Sequence, residues 1–251
     1  MAEALARALG STEPGHGPAP TLVLGPARSG RSALLFRAAL AGSRPRALFL
    51  APSALQRLPG ARRGASDGRS LQRVQFLYPP SLQELLRLVA SLHQSLPGPP
   101  ALILLDGLEQ YLAGCPGPQA VAQLSALLVD TASYFTGRLG TNPCGPASCC
   151  QLITSLRVPR EAEADEHLGV LQRYFPARCW LCPDSLASLD QDDCGGNRMF
   201  RARLSQPGVP DHEWRVEFGL DGEMRVSPLP WGNTENPGVA SDIDRAAGAE
   251  K

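Results

Sequence analysis

The sequence predicts an α/β domain built on a mostly parallel sheet and closed by a C-terminal antiparallel hairpin, and three observations predict it. Short apolar runs such as Ala101-Leu-Ile-Leu-Leu105 recur between stretches of helical periodicity, and a strand buried on both faces reads as an unbroken apolar run. The run at 21–25 passes through a glycine-bounded loop straight into an amphipathic helix. Past Pro183 the alternation shifts to a period of two, with Asp221-Gly222 between two such runs. That pair is a hairpin signal, because a type I′ turn needs positive φ at both central positions.

The elements follow in order. Residues 1–20, rich in Ala, Gly and Pro, are expected to form a flexible leader, with a short helix over the Ala/Leu stretch 2–9 as the alternative. A strand is predicted at 21–25, a helix at 31–42, strands at 46–51 and 72–78, and a helix at 81–95. Strand 101–106, helix 118–138, strand 149–156, helix 163–174 and strand 178–182 come next. Segments 52–70 and 184–198 are too poor in apolar residues for core and read as loops. The alternating runs 200–206 and 214–228 end the domain, which spans 21–228; residues 229–251 have few large apolar side chains and are expected to be disordered.

Composition narrows the function. Lys+Arg and Asp+Glu both total 24 in 251 residues, so no global field favours a polyanion and any nucleic-acid site must be a local patch. The seven cysteines, Cys115, Cys144, Cys149, Cys150, Cys179, Cys182 and Cys194, are odd in number and lack framework spacing, which points to a reducing compartment. No apolar h-region follows a basic n-region, and no run approaches a membrane span, so a cytoplasmic or nuclear protein without membrane association is expected. His16, His93, His167 and His212 lie in unrelated contexts, and neither a Gly-x-Ser-x-Gly elbow nor an HExxH helix occurs.

Two elements carry chemistry. Gly25-Pro26-Ala27-Arg28-Ser29-Gly30-Arg31-Ser32 has the Walker A form GxxxxGK[ST] with arginine in place of lysine. Such a loop turns successive backbone amides toward a β-phosphate and adds the positive end of a helix. The two glycines allow the tight path, and Ser32 would ligate Mg2+. An ordinary Gly-rich βα turn is the plain alternative. Leu102-Ile-Leu-Leu-Asp106 is an apolar strand ending in a carboxylate, the Walker B form, in which the aspartate orders the cation shell. Read together, they predict a P-loop NTPase core.

Arg31 then acquires a consequence. Guanidinium is wide and planar where lysine is a compact charge on a thin stem, so phosphate attraction persists while placement in the transition state suffers. Misplacement by about 1 Å costs about 100-fold in rate. Lys251 is the sole lysine, so none nearby replaces it. ATP binding with slow or absent turnover is the expectation.

The segments RVQFLYPPSLQELLRLV (73–89), LILLDGLEQYL (102–112), LLVDTASYF (127–135) and LQRYFPARCWL (171–181) together resemble the SWIM-type zinc-finger-associated ATPases, diverged RecA-type recombinase paralogues of the Shu complex. The resemblance covers about 21–228. It implies a RecA-like core, ATP and Mg2+ as cofactors, and a SWIM zinc-finger protein as partner. It further implies single-stranded DNA binding and support of the strand-exchange recombinase and its paralogues in homologous recombination, a nuclear role. The family's phosphate-loop positions fall on Gly25 through Ser32 and its Walker B aspartate on Asp106. RecA-type ATPases usually carry a water-activating glutamate after the second strand, where this sequence has Phe49-Leu-Ala-Pro-Ser53. Glu109, a helical turn beyond Asp106, is a candidate substitute; a solvated surface glutamate is the alternative. Gln151, Thr154 and Ser155 lie near the place of a γ-phosphate sensor.

Arg62, Arg63, Arg69 and Arg73 lie in or beside a Gly/Arg loop and are candidate DNA contacts, against the alternative of solvated charge. Cys179-Trp-Leu-Cys182 has knuckle spacing but sits in an apolar run with no second CxxC, so buried structural thiols are expected. Tyr174, Phe175 and Trp180 read as core aromatics, with Phe175 as a partner anchor if exposed. Beside the ATPase reading stand a pseudo-ATPase adaptor without nucleotide or DNA and a small-molecule kinase, for which no lid arginines or acceptor pocket are visible.

Overall fold

The structure, a computed structural model, describes residues 3–9, 19–41, 46–55, 68–114, 117–140, 149–159, 166–184, 198–219 and 223–229. The strands are β1 (Thr21–Gly25), β2 (Ala47–Leu50), β3 (Val74–Leu77), β4 (Leu102–Leu105), β5 (Gln151–Arg157), β6 (Ala177–Pro183), β7 (Arg198–Gln206), β8 (Val209–Phe218) and β9 (Met224–Pro228). The helices are α1 (Glu3–Ala8), α2 (Arg31–Ala41), α3 (Gly68–Leu71), α4 (Leu82–Ser95), α5 (Leu108–Leu112), α6 (Pro118–Leu139) and α7 (Glu166–Tyr174). The short helices α3 and α5 carry no periodicity long enough to read from sequence.

One sheet runs β3-β2-β4-β5-β1-β6-β7-β8-β9. The first six strands in that order pair in parallel, and the last three are antiparallel. β1, β2 and β4 are buried at every residue, which is why each is an unbroken apolar run. Successive side chains go to opposite faces. Val23, Phe49, Leu104 and Ile153 pack under α1 and α2; Leu22, Leu48, Leu50, Ile103 and Leu105 pack under α4 to α7. Helix boundaries follow local chemistry: the Ser81 hydroxyl accepts from the Glu84 amide at the start of α4, and Pro118 opens α6.

Three expectations need amendment. Residues 3–9 are not a loose leader. The helix alternative holds, and Leu5, Ala6, Ala8 and Leu9 are buried in the core beneath the sheet; residues 10–18 lie outside the described ones. The C-terminal part holds two hairpins rather than one: β7 and β8 join through Pro207-Gly208, with φ of 76° at Gly208, and β8 pairs with β9 from Phe218↔Met224 onward. Asp221 and Gly222 themselves lie outside the described residues, although Gly219 donates to the Glu223 carbonyl across the connection. The loop at 52–70 closes with the single turn α3. Leu229 still donates to Glu213, and residues 230–251 are outside the description. Among the described residues no helix is long and apolar enough to cross a membrane.

Candidate functional site at the phosphate loop

β4, β5 and β1 are neighbours, and the carboxyl ends of three adjacent parallel strands converge on one place. In open α/β sheets this is where ligands bind. The loop Gly25–Ser32 leaves β1 and enters α2 at Arg31. Two residues take the left-handed conformation, Arg28 at φ 61° and Gly30 at φ 83°, as a loop that curls around an anion requires. Ser29 donates its amide to the Pro26 carbonyl.

The glycines are needed for close approach. A Cβ on Gly25 would stand 2.6 Å from Ser29 Oγ and 3.0 Å from the Leu181 carbonyl oxygen; on Gly30 it would meet the Phe218 ring at 2.0 to 2.9 Å. Phe218, at the end of β8, therefore lies directly on the loop, and sequence reasoning missed it because nothing local ties it to Gly30. Ser29 is buried, and its hydroxyl oxygen has no hydrogen-bond partner, so the loop holds an unmet polar atom in its own wall.

Asp106 is 8% exposed. Its Oδ1 accepts from Ser155 Oγ at 2.5 Å, and the same serine oxygen accepts from the Gly107 amide at 2.9 Å. Of the three polar residues read near a sensor position, Ser155 thus faces Asp106 and orients it. Thr154 is buried on the other face with its hydroxyl unpaired, and Gln151 Oε1 accepts the Ala4 amide at 2.8 Å.

Glu109 is not a solvated surface residue. Its carboxylate meets the Arg31 guanidinium at 3.4 and 3.5 Å, with the two side chains only 16% and 12% exposed, and it accepts the Arg157 amide at 3.0 Å. In the place of the usual glutamate after β2, Pro52 stands against Gly107, within 3.6 Å of where a Cβ there would be. Arg28 is exposed in the loop, and Arg157, which sequence reasoning passed over, is exposed at the end of β5.

The remaining candidates separate. Arg73 is exposed just before β3, while Arg62, Arg63 and the side chain of Arg69 lie outside the described residues. Cys179 and Cys182 are three residues apart on β6, so they point to opposite faces; the first is buried and the second exposed. That geometry rules out joint ligation of one ion by this pair. Burial pushes the Cys179 and Cys150 thiols up to about 12. With native protein and a thiol reagent near pH 8, Cys182 is expected to react first among the described cysteines, and Cys150 and Cys179 only after unfolding. Rapid native labelling of Cys179, read by peptide mass, would contradict the burial. Phe175 is fully buried and Trp180 partly so, in keeping with core aromatics rather than an anchor.

A phosphate loop after the first strand, an aspartate at the end of β4, one strand removed from β1, and this strand order define a RecA-like P-loop core. Solved structures share it. The RadB recombinase superimposes with a TM-score of 0.57 at 17% identity, covering 91% of this chain and 97% of that one. A second solved ATPase domain does so with a TM-score of 0.55 at 11% identity, covering 85% of each chain. The chain is 46% identical over 239 residues to mouse ATPase SWSAP1, covering 91% of this chain and 82% of the relative. Over 225 residues it is 46% identical to human ATPase SWSAP1, covering 86% and 92%. The chain belongs to the ATPase SWSAP1 family, and its fold is RecA-like. No general family profile matches it.

Proposed function

We propose that the chain is a nucleotide-binding subunit of a homologous-recombination complex, one that binds Mg-ATP and hydrolyses it slowly or not at all. The observation that carries this reading is the convergence of the Gly25–Ser32 loop with the buried Asp106–Ser155 pair at the ends of β1, β4 and β5. The residues fit a phosphate and its cation: the buried Ser29 hydroxyl lacks a partner, and Gly25 and Gly30 add no side chain of their own to the loop. The loop amides and Arg31 would hold phosphate, and Ser32 and Asp106 would hold Mg2+, which neutralises charge on the β- and γ-oxygens. Ser155 fixes the carboxylate that does so. Slow turnover follows from the lack of a carboxylate in residues 51–55 directly after β2, from the wide guanidinium of Arg31 at the lysine position, and from Glu109, the candidate substitute base, being tied to the Arg157 amide.

The same reading supplies the partners: a SWIM-type zinc-finger protein, the strand-exchange recombinase and its paralogues, and single-stranded DNA, in the nucleus. Kinship with the SWSAP1 proteins supports it. Exposed Arg73, with Arg62, Arg63 and Arg69 preceding it in sequence, supplies the basic patch proposed for DNA, and such contact weakens steeply with salt.

A pseudo-ATPase adaptor is the second reading, and the ion pair on Arg31 favours it, because a carboxylate already satisfies the guanidinium. Titration of a fluorescent ATP analogue with Mg2+ separates the two. Wild type is expected to bind saturably, Asp106→Ala to lose at least about tenfold in affinity, and Arg31→Lys to gain turnover. Absence of binding in every form would leave the adaptor.

A further inference from the structure

We propose that Glu109 is a built-in competitor for the nucleotide: its carboxylate holds Arg31 in place of a phosphate and must yield the guanidinium when a triphosphate enters. The inference rests on the nucleotide-binding reading and extends it to the residue that sets affinity.

Arg31 occupies the phosphate-lysine position at the first residue of α2, and its guanidinium pairs with Glu109, 78 residues away on α5. Two oxygens of Glu109 face two nitrogens of Arg31 at 3.4 and 3.5 Å. Guanidinium presents its donors as a planar fork that carboxylate and phosphate satisfy alike. The group that fills the fork here is therefore chemically a stand-in for the ligand.

The contact is also made to be broken. Strong carboxylate–guanidinium bonds lie near 2.7–2.9 Å, and this pair, at 3.4 and 3.5 Å, is clearly longer. Glu109 has a second anchor, the Arg157 amide at 3.0 Å, so its side chain stays tethered at the end of β5 when Arg31 leaves. A triphosphate brings more charge than one carboxylate, and an Arg31 drawn to it leaves Glu109 as an uncompensated negative charge beside the phosphates. Glu109 thus opposes binding twice, once by holding the cation and once by repelling the anion.

Glutamine separates charge from shape. In Glu109→Gln the amide oxygen still accepts from the Arg157 amide, so the end of β5 keeps its bond while the competing charge goes. Equilibrium titrations with a non-hydrolysable fluorescent ATP analogue and Mg2+ remove any contribution from hydrolysis. The expected result is affinity about tenfold higher in Glu109→Gln than in wild type, a smaller gain for the matching diphosphate, and only the part of the gain that comes from lost repulsion when Glu109→Gln is made in an Arg31→Ala background. Glu109→Asp, shorter by one methylene, should fall between wild type and Glu109→Gln. A merely structural glutamate would lower affinity on removal or leave it unchanged. Equal or weaker triphosphate binding in Glu109→Gln, with wild type binding measurably and the melting temperatures alike, would overturn the competitor role and leave the nucleotide reading intact. If no form binds the analogue, both fall.

Discussion

Replacing Leu5 and Leu9 together by alanine is expected to lower the stability of the fold by roughly 5 kcal/mol, seen as a large drop in the denaturation midpoint with little change in slope. Both side chains are fully buried, and α1 packs against α2 and β5 within the core layer that also holds Phe36, Phe49 and Leu104. Each truncation removes transferred methylenes and leaves a cavity that close-packed neighbours fill only in part. A domain stable by only about 5–15 kcal/mol would stand near unfolding at room temperature. The outcome also decides whether α1 belongs to the domain: an unchanged midpoint would mean that α1 is dispensable and that its burial carries no net stability in solution.

Gly30→Ala is expected to cost about 3 kcal/mol and to abolish nucleotide binding. Part of the cost is backbone strain, since φ is 83° where an L side chain is disfavoured by about 1–2 kcal/mol. The rest is collision, because the new Cβ would lie 2.0, 2.5 and 2.9 Å from three Phe218 ring carbons. The ring is only partly buried, and moving it aside means giving up its edge-on contact with Phe200 at 5.9 Å between centroids. Two contributions with different origins predict a specific double-mutant cycle. Phe218→Ala added to Gly30→Ala should recover the steric part and leave the strain. Full additivity of the two substitutions would show that the ring does not lie on the loop in solution.

The parts of the molecule that could be read in advance are those whose cause is local. β1, its loop and α2 follow from an apolar run, two glycines and a helical period close together in the chain, and Asp106 follows from the run that it ends. α1 stood only as an alternative to a flexible leader, and its burial could not be read because its small and apolar residues need a seat that strands far along the chain build. Glu109 stood in view as a candidate, yet its meaning depended on Arg31, 78 positions earlier. Phe218 gave no sign at all: an aromatic residue in an alternating strand looks the same whether it fills a core or lies on a phosphate loop. Ser155 was one of three polar residues in an uncertain register, and only the pairing of β4 with β5 placed it opposite Asp106.

The bond from the Ala4 amide to Gln151 Oε1 spans 147 residues. On a ribosome adding about 5–20 residues each second, α1 emerges roughly 7 to 30 seconds before the strand that caps it exists. During that interval Leu5 and Leu9 have at most α2 and the early strands to lie against. The earliest of the described helices to be made is thus among the last to be fully seated, and its apolar face is open to whatever other chain or chaperone is present while the rest of the sheet is still being synthesised.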